Sequence, residues 1–231
     1  MEQKASNAKA AEKSVSEKEK AFIQEGMKPD EFEQFLISMD PERWVKVLAK
    51  IGDEGDSKNA GLILLGLKEK DSLVRNAAKL ALAMISEKGI VLSEEEIKKI
   101  RWLANSGIKH YKEAGLFALG CIGDGKDLHI VAEGLADQDF DIRKAARAAF
   151  ERMVKRGVLK TKEALEAARQ TAANQLIWGK KEVKGAVLLI FGEAGEKEDI
   201  DVVKREMESE ENYVRRIAQL AFSKMEQRGV V

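Results

Sequence analysis

Three segments of the chain repeat one pattern: DSLVRNAAKLALAMI from Asp71, DFDIRKAARAAFERM from Asp139 and ENYVRRIAQLAFSKM from Glu211. Each opens on an acidic or polar residue, continues through a β-branched residue and an arginine, and then carries small and apolar residues at helical spacing. The marker arginines Arg75, Arg143 and Arg215 lie 68 and 72 residues apart, which suits two units of about 35 residues per interval. Self-similarity at that period predicts stacked helical hairpins. Lysines fill the gaps between these arginines. Lys46, Lys112 and Lys184 stand 29, 31 and 31 residues before Arg75, Arg143 and Arg215, giving six second-helix markers. The helix partnering the first marker falls near residues 31–39.

The residues between markers supply starts and stops. Gly52-Asp53, Gly123-Asp124 and Gly195-Glu196 read as matching turns in which glycine takes positive φ and closes a helix. Ser93 and Glu96 form a capping box for a helix ending near Asn105, and Thr161 caps a longer helix ending near Trp178. Three apolar stripes follow: Leu73, Val74, Ala77, Ala78, Ala81 and Leu82; Ile142, Ala145, Ala146, Ala149, Phe150 and Met153; and Val214, Ile217, Ala218, Ala221, Phe222 and Met225. A lone hairpin cannot bury such a stripe. Stacking removes it from water at about 25 cal/mol per Å² of apolar surface. Both prolines, Pro29 and Pro41, precede the repeats, so no proline interrupts a later helix. Residues 1–27 are polar and patternless and are expected to be an arm or frayed helix, with residues 28–231 as the repeat domain.

The wording resembles the HEAT repeat, particularly the short HEAT-like form of phycobilisome lyases. Ala118-Leu119-Gly120, Ile122-Gly123-Asp124, Leu135-Ala136-Asp137 and Ile142-Arg143-Lys144-Ala145-Ala146 carry the likeness, echoed by Asp71, Val74 and Arg75 and by Val214 and Arg215. The resemblance implies an all-α, right-handed α-α superhelix of about five to six hairpins, with the second helices lining a concave face. It also implies that Asp71, Arg75, Asp139, Arg143 and Arg215 are structural, forming a hydrogen-bonded ladder between neighbouring repeats. Stacked helices of this size are also similar to the HEAT-like alkylpurine DNA glycosylases, which implies nucleic-acid binding as an alternative. The bilin-lyase chemistry of the namesake family stands third, because fold analogy transfers chemistry poorly.

Little in the residues asks for catalysis. The chain holds two histidines, His110 and His129, on different predicted helices, and a single cysteine, Cys121, in an apolar context. No metal site, cofactor or catalytic residue is expected, and no intrachain disulfide can form. No stretch approaches the roughly 18 apolar residues of a membrane span. A cytoplasmic location is the expectation. Lys plus Arg equals Asp plus Glu at 40 each, a poor balance for a nucleic-acid binder. One asymmetry stands out: residues 141–184 hold 12 basic against 5 acidic residues. Lys144, Arg147, Glu151 and Lys155 share one predicted solvent side there. Trp102, Trp178 and Tyr111 are candidate aromatic contacts, with burial between repeats as the plainer role for the tryptophans. The leading expectation is a non-enzymatic scaffold whose concave face holds another protein, one with an acidic surface.

Overall fold

In the computed structural model the described residues are 40–175 and 180–231, without the side chains of 171–175. They form eleven α-helices and no strand: α1 Pro41–Glu54, α2 Ala60–Lys68, α3 Ser72–Glu87, α4 Glu94–Ala104, α5 Lys109–Ile122, α6 Leu128–Leu135, α7 Phe140–Lys155, α8 Lys162–Gln175, α9 Lys181–Ala194, α10 Ile200–Glu206 and α11 Asn212–Gln227. The chain is an all-α helical-repeat solenoid. All six marker residues fall on α1, α3, α5, α7, α9 and α11, the second helices of successive hairpins. The arm expected at residues 1–27, the first helix near residues 31–39 and Trp178 lie outside the described residues. By its contacts the chain divides into two units, with the boundary between Glu96 and Ile97.

In the first unit α3 packs on both α1 and α2. Asp40 caps α1 by accepting from the Arg43 N–H at 3.0 Å. Asp71 caps α3 by accepting from the N–H groups of Leu73 and Val74. Leu48, Ile51, Ile63, Leu67, Leu82 and Ile85 are the large, fully buried side chains. The predicted stripe on α3 holds from Val74 onward. Leu73 is a correction: at the second position of the helix it points out and is 63% exposed. At the unit's end the expected capping box of Ser93 and Glu96 forms in both directions.

The second unit repeats the same scheme, with α7 packed on α5 and α6, and α11 packed on α9 and α10. Hairpins of two kinds alternate along the chain. Those opening with the short helices α2, α6 and α10 are each preceded by a 3₁₀ turn, at Ser57–Asn59, Gly125–Asp127 and Lys197–Asp199. Those opening with α4 and α8 have longer first helices; no 3₁₀ turn precedes α4, and the one before α8, Val158–Lys160, is set off from the helix by Thr161. The true repeat is therefore a pair of hairpins, matching the 68- and 72-residue intervals.

Glycine placement corrects one sequence expectation. The glycines closing α1, α5 and α9 are Gly55, Gly123 and Gly195, with φ of −70°, −60° and −58°, so no left-handed residue is needed there. Gly52 lies one turn earlier, inside α1. With Gly120 and Gly192 it forms a different series, in which a Cβ would meet the backbone of Ala81, Ala149 and Ala221 respectively at 3.2, 2.7 and 3.0 Å. These glycines let consecutive second helices cross closely. Positive φ occurs instead at Gly89, Gly157 and Gly229, just after the long second helices. The basic residue before each of them reaches the carbonyls ending the previous second helix: Lys88 those of Gly52 and Asp53, Arg156 those of Gly120 and Gly123, and Arg228 those of Phe191 and Gly195. A cation at a helix C-terminus meets the negative end of the macrodipole, so this contact both stabilises and sets register.

Ion pairs make the fold pH-sensitive. Burial pushes the Asp137 carboxyl up, but the Lys112 hydrogen bond at 2.6 Å and the Asp139 N–H bring it below its ordinary value. The Lys224 ammonium holds the Glu193 carboxyl down against its own burial. Both groups bind protons less readily folded than unfolded. Their stabilisation is therefore present above the ordinary carboxylate range, near 4, and is lost as pH falls through the folded values. Thermal unfolding followed by circular dichroism should show a plateau from about pH 7 to 5.5 and a decline below about pH 4. A Lys112→Met/Lys224→Met variant should show a shallower decline, and a decline as steep as that of the unmodified chain would contradict the assignment.

Candidate functional site

The second helices α7, α9 and α11 of the second unit frame a groove of about 420 Å³. Its floor is apolar: Leu135 at the end of α6, Phe150 and Val154 on α7, and Ala186 and Leu189 on α9. Arg147, Glu151 and Lys155 form one lip along α7, and Glu182 stands opposite on α9. Helical spacing explains the division. Phe150 and Val154 are four residues apart on one side of α7, and the charged lip follows its own four-residue row beside them.

Tyr213, in the first turn of α11, closes one end of the groove and is half exposed. Gly185 makes room for it, since a Cβ there would lie 2.7 Å from the phenol oxygen. Burial pushes the Tyr213 phenol above its ordinary pKa, while Arg147 draws it down and Glu182 pushes it up. The ring therefore presents a neutral hydroxyl across physiological pH. Arg147 from the middle of α7 and Glu182 and Tyr213 from the first turns of α9 and α11 all line the groove.

Six of the twelve basic residues of the 141–184 run are engaged within the fold. Arg143 donates to the carbonyls of Asp137 and Gln138, Arg156 to those of Gly120 and Gly123, and Lys180 to that of Ala136. Arg152 lies over the Phe117 ring at 4.3 Å. Arg169 binds Glu196, Glu198 and Asp199, and Lys184 stands 3.9 Å from both Glu206 and Glu211. By contrast Lys144, Arg147, Glu151 and Lys155 are all exposed and make no hydrogen bond or ion pair with any described residue. Of these four, Arg147, Glu151 and Lys155 line the groove; Lys144 is on the same helix but does not.

The aromatic candidates lie elsewhere. Trp102 is 58% exposed on α4, with its ring 6.1 Å from that of Tyr111 on α5. Neither lines the groove. Inter-repeat burial describes Trp44, which is 3% exposed, and does not describe Trp102.

The repeat arginines act within single hairpins. Arg75, Arg143 and Arg215 each reach back to two carbonyls of the turn before their own helix: Glu69 and Lys70, Asp137 and Gln138, Ser209 and Glu210. Asp71 and Asp139 cap those helices; Glu211 makes no such side-chain cap. Between neighbouring hairpins the marker Lys112 on α5 binds Asp137 at 2.6 Å and Lys109 binds Asp139 at 3.0 Å, and two further bonds come from residues that the repeat pattern did not mark. Arg101 on α4 donates to Asp127 at 2.6 Å, and Arg169 on α8 donates to Asp199 at 3.0 and 2.9 Å. Both aspartates are nearly inaccessible, at 1% and 4% exposure. Each also accepts the N–H three residues earlier, from Asp124 or Glu196. The Asp199 hydrogen bond raises the Arg169 pKa further above its ordinary value, against burial. These pairs position α6 and α10, and through them the walls of the groove.

No family model and no curated protein matches this chain. Among solved structures the chain is similar to a designed armadillo repeat protein, YIII(Dq)4CqI, at 17% identity over 85% of this chain and 99% of that one, with a TM-score of 0.43. Two engineered proteins from the Northeast Structural Genomics Consortium are similar at 18% and 15% identity, each over 87% of this chain and 98% and 99% of theirs, with TM-scores of 0.36 and 0.45. No described helix is long and apolar enough to cross a membrane.

Proposed function

We propose that this chain is a non-enzymatic protein-binding scaffold, and that the groove of α7, α9 and α11 is its contact surface. One observation carries the reading: an apolar trough is bordered by charges without internal partners, in a region whose other basic groups are mostly engaged. Contact sites in proteins combine an apolar centre with a polar border in this way. The HEAT-like wording of the repeats supports the same reading, because stacked hairpins offer extended surfaces. A nucleic-acid role finds less support. Glu151 and Glu182 interrupt the cations of the groove, and the Trp102–Tyr111 pair is not part of it.

Photo-crosslinking tests the proposal. Benzoylphenylalanine at Leu189 should give a discrete protein adduct in a lysate of the source cells, whereas the same group at exposed Glu133 should not. Reversing Arg147 and Lys155 to glutamate should weaken the Leu189 adduct at least fivefold while leaving thermal unfolding unchanged. Equal adducts from both positions, or an adduct indifferent to the reversal, would contradict the groove as the contact surface.

A further inference from the structure

The shape of the groove restricts what can fill it. Its lining takes two turns of α7, from Arg147 to Lys155, and two turns of α9, from Glu182 to Leu189, but single residues from α6 and α11, Leu135 and Tyr213. It is therefore a trough running along two helices rather than a channel crossing several. A trough flanked by two helices and floored by a third element, here α6, accepts the side-chain ridge of a further helix. An extended peptide would require pockets distributed across successive second helices.

The lip adds a charge pattern. Arg147, Glu151 and Lys155 follow one another at four-residue steps, plus, minus, plus, over about 12 Å of helix. Residues so spaced could pair along α7, Arg147 with Glu151 and Glu151 with Lys155. Neither pair forms, and all three head groups remain open beside the trough.

We infer that the groove binds an amphipathic helix of a partner protein, one that lays an apolar stripe between α7 and α9 and presents acid, base and acid at i, i+4 and i+8 toward Arg147, Glu151 and Lys155. This rests on the scaffold reading above and specifies the partner's chemistry. The pattern is the same read in either direction, so it selects composition without fixing polarity. Such complementarity suppresses wrong partners more than it adds affinity.

Synthetic peptides of about 16 residues, lactam-bridged to hold them helical, supply the probes. One carries a leucine stripe with Glu, Lys and Glu at the flanking positions. A second has Lys, Glu and Lys there. A third has the first peptide's composition with two prolines that abolish helicity. Fluorescence anisotropy at low salt should show the first binding the full chain at least tenfold tighter than either other peptide. The chain carrying Arg147→Glu, Glu151→Lys and Lys155→Glu should prefer the second. These substitutions are on exposed positions, and matched thermal unfolding will show that the fold is kept. Equal binding of the charge variants, tighter binding of the proline peptide, or no binding of any peptide would each overturn the inference. If Leu189 still gives its adduct under those outcomes, the scaffold reading stands and only the helix specification fails; loss of both removes the two together.

Discussion

Replacing Arg169 with methionine is expected to lower the free energy of unfolding by about 3 kcal/mol, because it leaves the Asp199 carboxylate buried without its cation. Removing one member of a buried pair costs about 3–5 kcal/mol, and the partial exposure of Arg169 places this case at the low end. For a chain of this length the melting temperature should fall by about 6–12 °C. Arg101→Met should behave alike, since Asp127 is equally enclosed. The loss is local in origin, but it acts at the joint between hairpins, so α10 and the groove end nearest it should lose amide-exchange protection first.

The second large effect concerns glycine. Gly115 on α5 faces α4 so closely that a Cβ would fall 2.6 Å from the Ala104 Cα and nearer still to the Ala104 nitrogen. Backbone cannot yield as a flexible side chain can, so Gly115→Ala should cost about 3 kcal/mol, the upper end of ordinary overpacking. Gly61 on α2 is the control. A Cβ there meets nothing within 4 Å and its φ is not positive, so alanine's helix propensity acts alone. Gly61→Ala should stabilise by about 0.5–1 kcal/mol. Urea denaturation of the two variants should therefore show the same substitution shifting the midpoint in opposite directions. A shift of Gly115→Ala by less than a quarter of that expected would show that α4 and α5 are not held at this spacing.

The fold was largely legible because its information is periodic. The residues of DxxVR-type segments encode an N-cap, a turn clasp and an apolar stripe within one stretch of chain, so Asp71, Arg75, Val74 and their counterparts could be read together. Register was harder. Gly52 and Gly55 stand three residues apart, and only the packing of α1 on α3 shows that Gly52 serves helix crossing while Gly55 ends the helix. Leu73 and Trp102 read as core by type, but each sits near a helix end where the stripe has rotated away from its neighbour. A further signal went unused: Lys88-Gly89-Ile90, Arg156-Gly157-Val158 and Arg228-Gly229-Val230 recur at the repeat interval, and all three bases clasp the preceding helix.

The candidate site was legible only in part. Arg147, Glu151 and Lys155 could be placed on one face from helical spacing alone, and the structure puts them on one groove lip. The positive excess of the 141–184 run was misleading as a measure of surface charge, since backbone carbonyls absorb cations without any acidic residue appearing in the count. Glu182, Leu189 and Tyr213 were not predictable. They reach the groove from two other helices, and nothing in their local sequence separates them from ordinary repeat positions. Arg101 and Asp127 illustrate the same limit, being 26 residues apart and joined only by the docking of one hairpin on the next.

That docking is the central claim, and a double-mutant cycle on Arg169 and Asp199 measures it most directly. Urea unfolding of the unmodified chain, Arg169→Met, Asp199→Asn and the double variant gives the coupling between two side chains 30 residues apart. A coupling of about 2 kcal/mol or more, with the double variant markedly more stable than Arg169→Met alone, is the predicted result. Additive losses within about 0.5 kcal/mol would mean that the two residues do not join neighbouring hairpins, and the account of how this solenoid is assembled would fall with them.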